Sequence, residues 1–193
     1  CMIKIGMLGD IGAGKSFVAK QFGYPVFNAD EEVSKLYKES KKCYAKLKKA
    51  LPDYIISFPI KKKHISKAII DNKKNIKKIA KIIHPEVRFR INNFIKKNKD
   101  KKFIILDIPL LIENKLNKKN DILVFIDAPQ KKINKKLKKR PGFNKNILKK
   151  LRKIQLSLEI KKKKSNFIIK NNFNNKSVKK SVKSILKKVL INA

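Results

Sequence analysis

Eight residues near the N-terminus, Gly9-Asp10-Ile11-Gly12-Ala13-Gly14-Lys15-Ser16, carry the spacing G-x-x-x-x-G-K-[ST]. Glycines at these intervals let successive backbone N–H groups turn into one concavity, which binds phosphate oxygens. A helix that starts there adds the positive end of its dipole. Lys15 then reaches the β- and γ-phosphates, and the Ser16 hydroxyl ligates Mg²⁺. The context fits, because the apolar run Met2 to Leu8 precedes the loop and the helical pattern Ser16 to Phe22 follows it. Nucleotide phosphate binding is the chemistry this pattern supports, with a chance glycine turn as the alternative.

Such a loop does not by itself separate a kinase from a GTPase or a motor. No convincing N-K-x-D run for guanine recognition is present, and 193 residues are short for a motor. Three aspartates end apolar segments. Asp30 follows the short run Pro25 to Asn28, where a carboxylate could take the proton of an alcohol or hold Mg²⁺ through water. It could equally cap the helix whose first turn holds Glu31 and Glu32. Asp107 reads either as a carboxylate on the metal side or as a cap of the turn after its strand. Asp127, before Ala128-Pro129, reads as a strand-end turn residue.

The elements that must position these groups alternate. Apolar runs at Met2–Leu8, Pro25–Asn28, Phe103–Ile108, Ile122–Ile126 and Phe167–Ile169 have the continuous character of strands covered on both faces. Helical stripes lie between them: Ile76, Ile79 and Ile83; then, after an expected break at Pro85, Val87, Ile91, Phe94 and Ile95; Ile147, Leu151, Ile154 and Leu158; and Val178, Val182, Ile185 and Val189. Each stripe is expected to face a core. Strands alternating with helices imply an α/β fold with a five-stranded parallel sheet flanked by helices. Two stretches interrupt the alternation, the long helical region after Glu31 and the basic region Gln130 to Ser165 with the turn Arg140-Pro141-Gly142.

Composition sets outer limits. There are 52 basic and 14 acidic residues, a net charge of +38, and only four of the basic residues are arginine. A charge this large suggests a polyanion partner. Nucleic-acid surfaces favour arginine, however, whose planar fork suits phosphates and base edges. Here lysines run along the whole chain, and lysine, isoleucine and asparagine make up about half of it, so a coding bias accounts better for the charge. No stable nucleic-acid partner is expected. Two cysteines, Cys1 and Cys43, outline no disulfide framework. No stretch of 18 apolar residues or signal peptide is visible, so no membrane partner and a cytoplasmic location are the expectation.

The residues together resemble one family. Gly9 to Ser16, Asn28-Ala29-Asp30, His84-Pro85, Pro109-Leu110-Leu111-Ile112-Glu113 and Arg152 to Gln155 stand in the order and spacing of bacterial dephospho-CoA kinases. The resemblance implies a P-loop kinase core over residues 1–30, 100–129 and 166–193, an inserted helical acceptor-binding region at 31–99, and a helical lid at 130–165. It implies ATP and 3′-dephospho-CoA as ligands, Mg²⁺ as cofactor, and a monomer or weak oligomer. Asp30 matches the family's general base, with Lys15 and Arg140 as the other catalytic groups. The ATP contacts implied are Asp10, Ile11, Gly12, Ala13, Gly14, Lys15, Ser16, Phe17, Arg140 and Asn171, with Ser16 also on the metal. His84, Pro109, Leu110 and Glu113 fall where the family binds its acceptor. Taken singly, His84 also reads as a helix-end histidine and Glu113 as a solvated helix charge. The chain departs from the family at Asp10, usually glycine, at Phe17, usually threonine, and at Asn28, a common aspartate; Lys63 lies near a usual arginine, and Ser165-Asn166 replaces Ala-Asp.

Overall fold

The computed structural model describes residues 1–192. Five strands, β1 (Ile3–Gly9), β2 (Val26–Asn28), β3 (Phe103–Asp107), β4 (Ile122–Asp127) and β5 (Phe167–Lys170), form one sheet in the order β2-β3-β1-β4-β5. Every neighbouring pair is parallel. The expected α/β class and strand number are therefore the observed ones. The central position of β1 and β3 explains their composition: β3 is buried along its whole length, and β1 is buried from Ile5 onward.

Residues divide into two compact units. The first holds the sheet, with residues 1–28, 98–143 and 155–193. Its helices are α1 (Lys15–Gln21), α6 (Gln130–Lys138), α8 (Leu158–Lys164) and α9 (Asn175–Ile191). Helix α9 packs against α1 and β5 through Val178, Val182, Ile185 and Val189, all buried, as the stripe requires. Helix α8 packs on β1 and β4.

The second unit is helical and covers residues 29–97 and 144–154. It comprises α2 (Ala29–Glu39), α3 (Lys41–Ala50), α4 (Lys62–Asp71), α5 (Lys74–Lys97) and α7 (Lys145–Ile154). Helix α5 is the platform on which α2, α3 and α4 rest. The expected break at Pro85 does not occur, and α5 runs through it. A proline inside a helix costs roughly 3 kcal/mol. Ile79, Ile83, Val87 and Ile91 stand four residues apart on one face, and all are buried. Each such side chain contributes about 1.5–3 kcal/mol when buried, so the continuous stripe outweighs the proline.

The stripe Ile147, Leu151, Ile154 and Leu158 is a second correction. Helix α7 buries no residue, Ile154 and Leu158 are both exposed, and the chain breaks between them. Ser157 ends the run by capping α8, accepting a hydrogen bond from the Ile160 N–H at 3.3 Å. Helix α7 is attached instead by Lys150, whose ammonium donates to the carbonyls of Ile69 and Ile70 at the end of α4, at 2.9 and 2.5 Å. Residues 144–154 belong to the helical unit, and 130–143 and 155–165 to the sheet unit.

Candidate active site

The glycine loop lies between β1 and α1 at the C-terminal edge of the parallel sheet, where α/β folds bind ligands. Two glycines are required by the surroundings as well as by conformation. Gly12 has φ 84°, and a Cβ there would come within 2.8 Å of the Leu137 side chain from α6. Gly14 has φ 88°, and a Cβ would collide with the Asn171 amide and the Phe173 ring. Gly14 is also the N-cap of α1 and, as a glycine, offers that helix start no side-chain cap. The Lys15 ammonium spans the loop, donating to the carbonyls of Gly9 at 3.1 Å and Asp10 at 2.9 Å.

Asp10 does not reach outward. The residue is 7% exposed, and its Oδ1 accepts the N–H of Ile11 at 2.8 Å. A carboxylate thus lies against the loop and occupies one of the loop's own amides.

Ser16 is the centre of a polar cluster that joins three segments. Its hydroxyl donates to Asp107 Oδ2 at 2.5 Å, and the Asn28 amide donates to the same oxygen at 3.1 Å and to Ser16 Oγ at 3.3 Å. Sheet register builds this group, since Asn28 at the end of β2 stands opposite Asp107 at the end of β3. Asp107 is 4% exposed. Asp107, read from sequence either as a metal-side carboxylate or as a turn cap, meets the hydroxyl expected on Mg²⁺. A hydroxyl and a carboxylate are the hard oxygen donors that Mg²⁺ takes, and the ion characteristically keeps waters and substrate phosphates as its other ligands. Among the described residues no group of three or more His, Cys, Asp or Glu gathers to hold an ion.

Asn171, fully buried, braces the loop from behind. Its amide donates to the Ala13 carbonyl at 2.8 Å, and its Oδ1 accepts the Phe173 N–H at 2.9 Å. The Phe173 ring lies between Phe17 on α1, centroids 6.3 Å apart, and the Lys136 ammonium, 3.7 Å from its centroid. Asn171, which the resemblance places among the ATP contacts, hydrogen-bonds to the loop itself. Asp127 ends β4, and its carbonyl accepts the Asn171 N–H just beyond the paired strand β5 at 2.7 Å.

The Pro109–Glu113 segment follows β3 as a series of turns. Leu110 has φ 57°, and the buried Leu111 packs over Gly6 of β1. Glu113 is neither solvated nor helical: its Oε2 meets the Lys161 ammonium at 2.8 Å. Arg140 sits exposed in the turn after α6.

The helical unit carries the other candidates. Asp30 is the second residue of α2, two positions beyond Asn28, and is exposed. It lies inside the first turn and not at a cap. Its neighbour Glu32 is pushed up by burial, but hydrogen bonds from Arg90 at 2.7 Å and Lys35 at 3.0 Å more than offset that and hold its carboxyl below the usual range. His84 lies mid-helix in α5, half-buried; burial, and secondarily the charge of Arg88, holds its imidazole below the ordinary value and favours the neutral form. Arg152 lies on α7, and Gln155 follows that helix directly.

Sequence reasoning left Asp107 undecided and did not single out Lys161. The first shows itself only when β2 and β3 are in register. The second is hidden among dozens of other lysines, and only its burial distinguishes it.

The family model for dephospho-CoA kinase matches residues 3–177. Among curated relatives, the dephospho-CoA kinase of Wolbachia pipientis wMel is 34% identical, with 97% of this chain and 98% of the relative covered. That of Bartonella quintana is 32% identical over the same shares. Among solved structures, TT1252 from Thermus thermophilus has a TM-score of 0.78 at 23% identity, covering 97% of both chains. Dephospho-CoA kinase from Campylobacter jejuni has a TM-score of 0.62 at 21% identity, covering 96% of each. Shikimate kinase from Acinetobacter baumannii, at 0.55 and 16%, covers 100% of this chain and 95% of its own, and shares the fold.

Proposed function

Because the chain belongs to the dephospho-CoA kinase family, we propose that it transfers the γ-phosphoryl group of ATP to the ribose 3′-hydroxyl of 3′-dephospho-CoA, giving CoA and ADP. The observation that carries this reading is the Ser16–Asp107 contact beside the glycine loop, an oxygen pair suited to Mg·ATP.

In the proposed reaction the 3′-oxygen attacks the γ-phosphorus and the bond to the β,γ-bridging oxygen breaks, leaving ADP. The hydroxyl proton passes to the Asp30 carboxylate, which is exposed at the start of α2. Loop amides and Lys15 hold the β- and γ-phosphates, and Arg140 supplies further positive charge to the equatorial oxygens as they gain negative charge. Mg²⁺, when bound through Ser16 and Asp107, neutralises phosphate charge. His84, held toward its neutral form, offers the acceptor a hydrogen bond without adding charge. Pro109, Leu110 and Glu113 contribute the rest of the acceptor contacts.

The test is turnover with Mg·ATP and a panel of alcohol acceptors. Dephospho-CoA should be converted to CoA, Lys15→Ala should abolish conversion, and Asp30→Asn should lower kcat by about 10²-fold or more. CoA formation no faster than in Lys15→Ala refutes the proposal. Faster turnover of nucleoside monophosphates than of dephospho-CoA would replace it with another small-molecule kinase.

A further inference from the structure

Lys161 is the one lysine buried among the described residues, with 3% of its side chain exposed. It projects from α8 onto Glu113, whose own side chain is 9% exposed. Both polar groups that reach the carboxylate choose the same oxygen. Oε2 takes the Lys161 ammonium at 2.8 Å and the Leu156 N–H at 3.2 Å. Oε1 is buried and has no partner.

This arrangement is poor as a stabilising device. Removing two charges from water costs several kcal/mol per ion, and well-packed apolar side chains do as well or better in the same space. A buried acceptor atom left without a donor adds a further cost. The arrangement does provide orientation. With Oε2 held from two directions the carboxylate cannot rotate, and its second oxygen points to a fixed place. Glu113 lies six residues beyond Asp107, in the turns that follow the C-terminal end of β3. Leu156 and α8 lie where the chain has just returned to the sheet unit at Gln155.

We propose that Lys161 is a positioning residue for the phosphoryl acceptor, holding Glu113 Oε2 so that Oε1 receives a hydrogen bond from a hydroxyl or amide N–H of that molecule. The inference rests on the kinase reading above, and it adds a residue and an atom to it. Lys161 itself touches no substrate. It keeps Glu113 aimed.

Two variants test this in the full chain with Mg·ATP and dephospho-CoA. Lys161→Met should raise the KM for dephospho-CoA by about 10- to 100-fold, the effect of losing a buried hydrogen bond to a charged group, and leave the KM for ATP within about twofold. A lone buried charge can also prevent folding, so the double variant Lys161→Met/Glu113→Gln provides the second arm. It removes both charges together, and should show the raised acceptor KM. An acceptor KM within twofold of native in the double variant overturns the proposal, as does an equal rise in both KM values. If the native protein does not phosphorylate dephospho-CoA, the kinase reading fails first and takes this inference with it. A native enzyme that turns over normally while the variants behave as native sinks the positioning role alone.

Discussion

Replacing Asn171 by alanine tests whether the brace behind the phosphate loop sets the loop's shape. The side chain is fully buried and makes two hydrogen bonds, to the Ala13 carbonyl at 2.8 Å and from the Phe173 N–H at 2.9 Å. Alanine leaves both backbone groups without their partner, at about 1–2 kcal/mol each. The loss is expected to be about 2–4 kcal/mol, which at a urea m-value of about 2 kcal/mol/M moves the midpoint down by about 1–2 M. Function should respond separately. Ala13 sits inside the loop, and a loop no longer held must be ordered by the nucleotide itself. A cost of about 1.4 kcal/mol there raises the KM for ATP about tenfold, with the KM for the acceptor unchanged. Asn171→Asp sharpens the test: it keeps an acceptor for Phe173 but turns an oxygen toward the Ala13 carbonyl, so it should be worse than alanine although it is nearly the same size. A midpoint shift worth less than about 1 kcal/mol together with an ATP KM within twofold of native would refute the brace.

Two further outcomes follow from the site. Asp10→Gly frees the Ile11 amide and removes an anion beside the loop, so the KM for ATP should fall by about three- to tenfold; steady-state kinetics at fixed acceptor decides it, and an unchanged or higher KM contradicts the placement of that carboxylate. His84 gives a pH signature. Burial holds its imidazole below the ordinary value, so the unfolded chain binds the proton first as pH falls. Above about pH 7 neither state is protonated and the histidine has no effect; as pH drops through the ordinary value near 6.5 and on to the lower folded one, the native state should lose stability. Comparing denaturation midpoints of the native chain and His84→Gln between pH 8 and 5 isolates the effect, which should appear as a smaller acid loss in the variant.

The phosphate loop and the alternation of elements were legible in the linear chain. The glycine spacing at Gly9, Gly12 and Gly14 is a local conformational requirement, and the apolar runs of β1, β3 and β4 follow from burial on both faces of the sheet, whereas β5 buries only Ile169. Local periodicity was less reliable where long-range packing competed with it. At Pro85 the rule for a proline lost to a buried stripe that continues on both sides, and at Leu158 the apolar spacing ran across the Ser157 cap into another helix.

Partnerships between distant residues belonged to the tertiary structure alone. Ser16 finds Asp107 across 91 residues because parallel pairing of β2, β3 and β1 brings strand ends to one edge. Asn171 finds Ala13 across 158 because β5 delivers it behind the loop. Lys161 separates from the other lysines only when α8 packs on β1 and β4 and buries it against Glu113. Backbone conformation is chosen over a few neighbouring residues, and so is written in the chain; which side chains share a buried space depends on the register and packing of whole elements, and exists only once they have assembled.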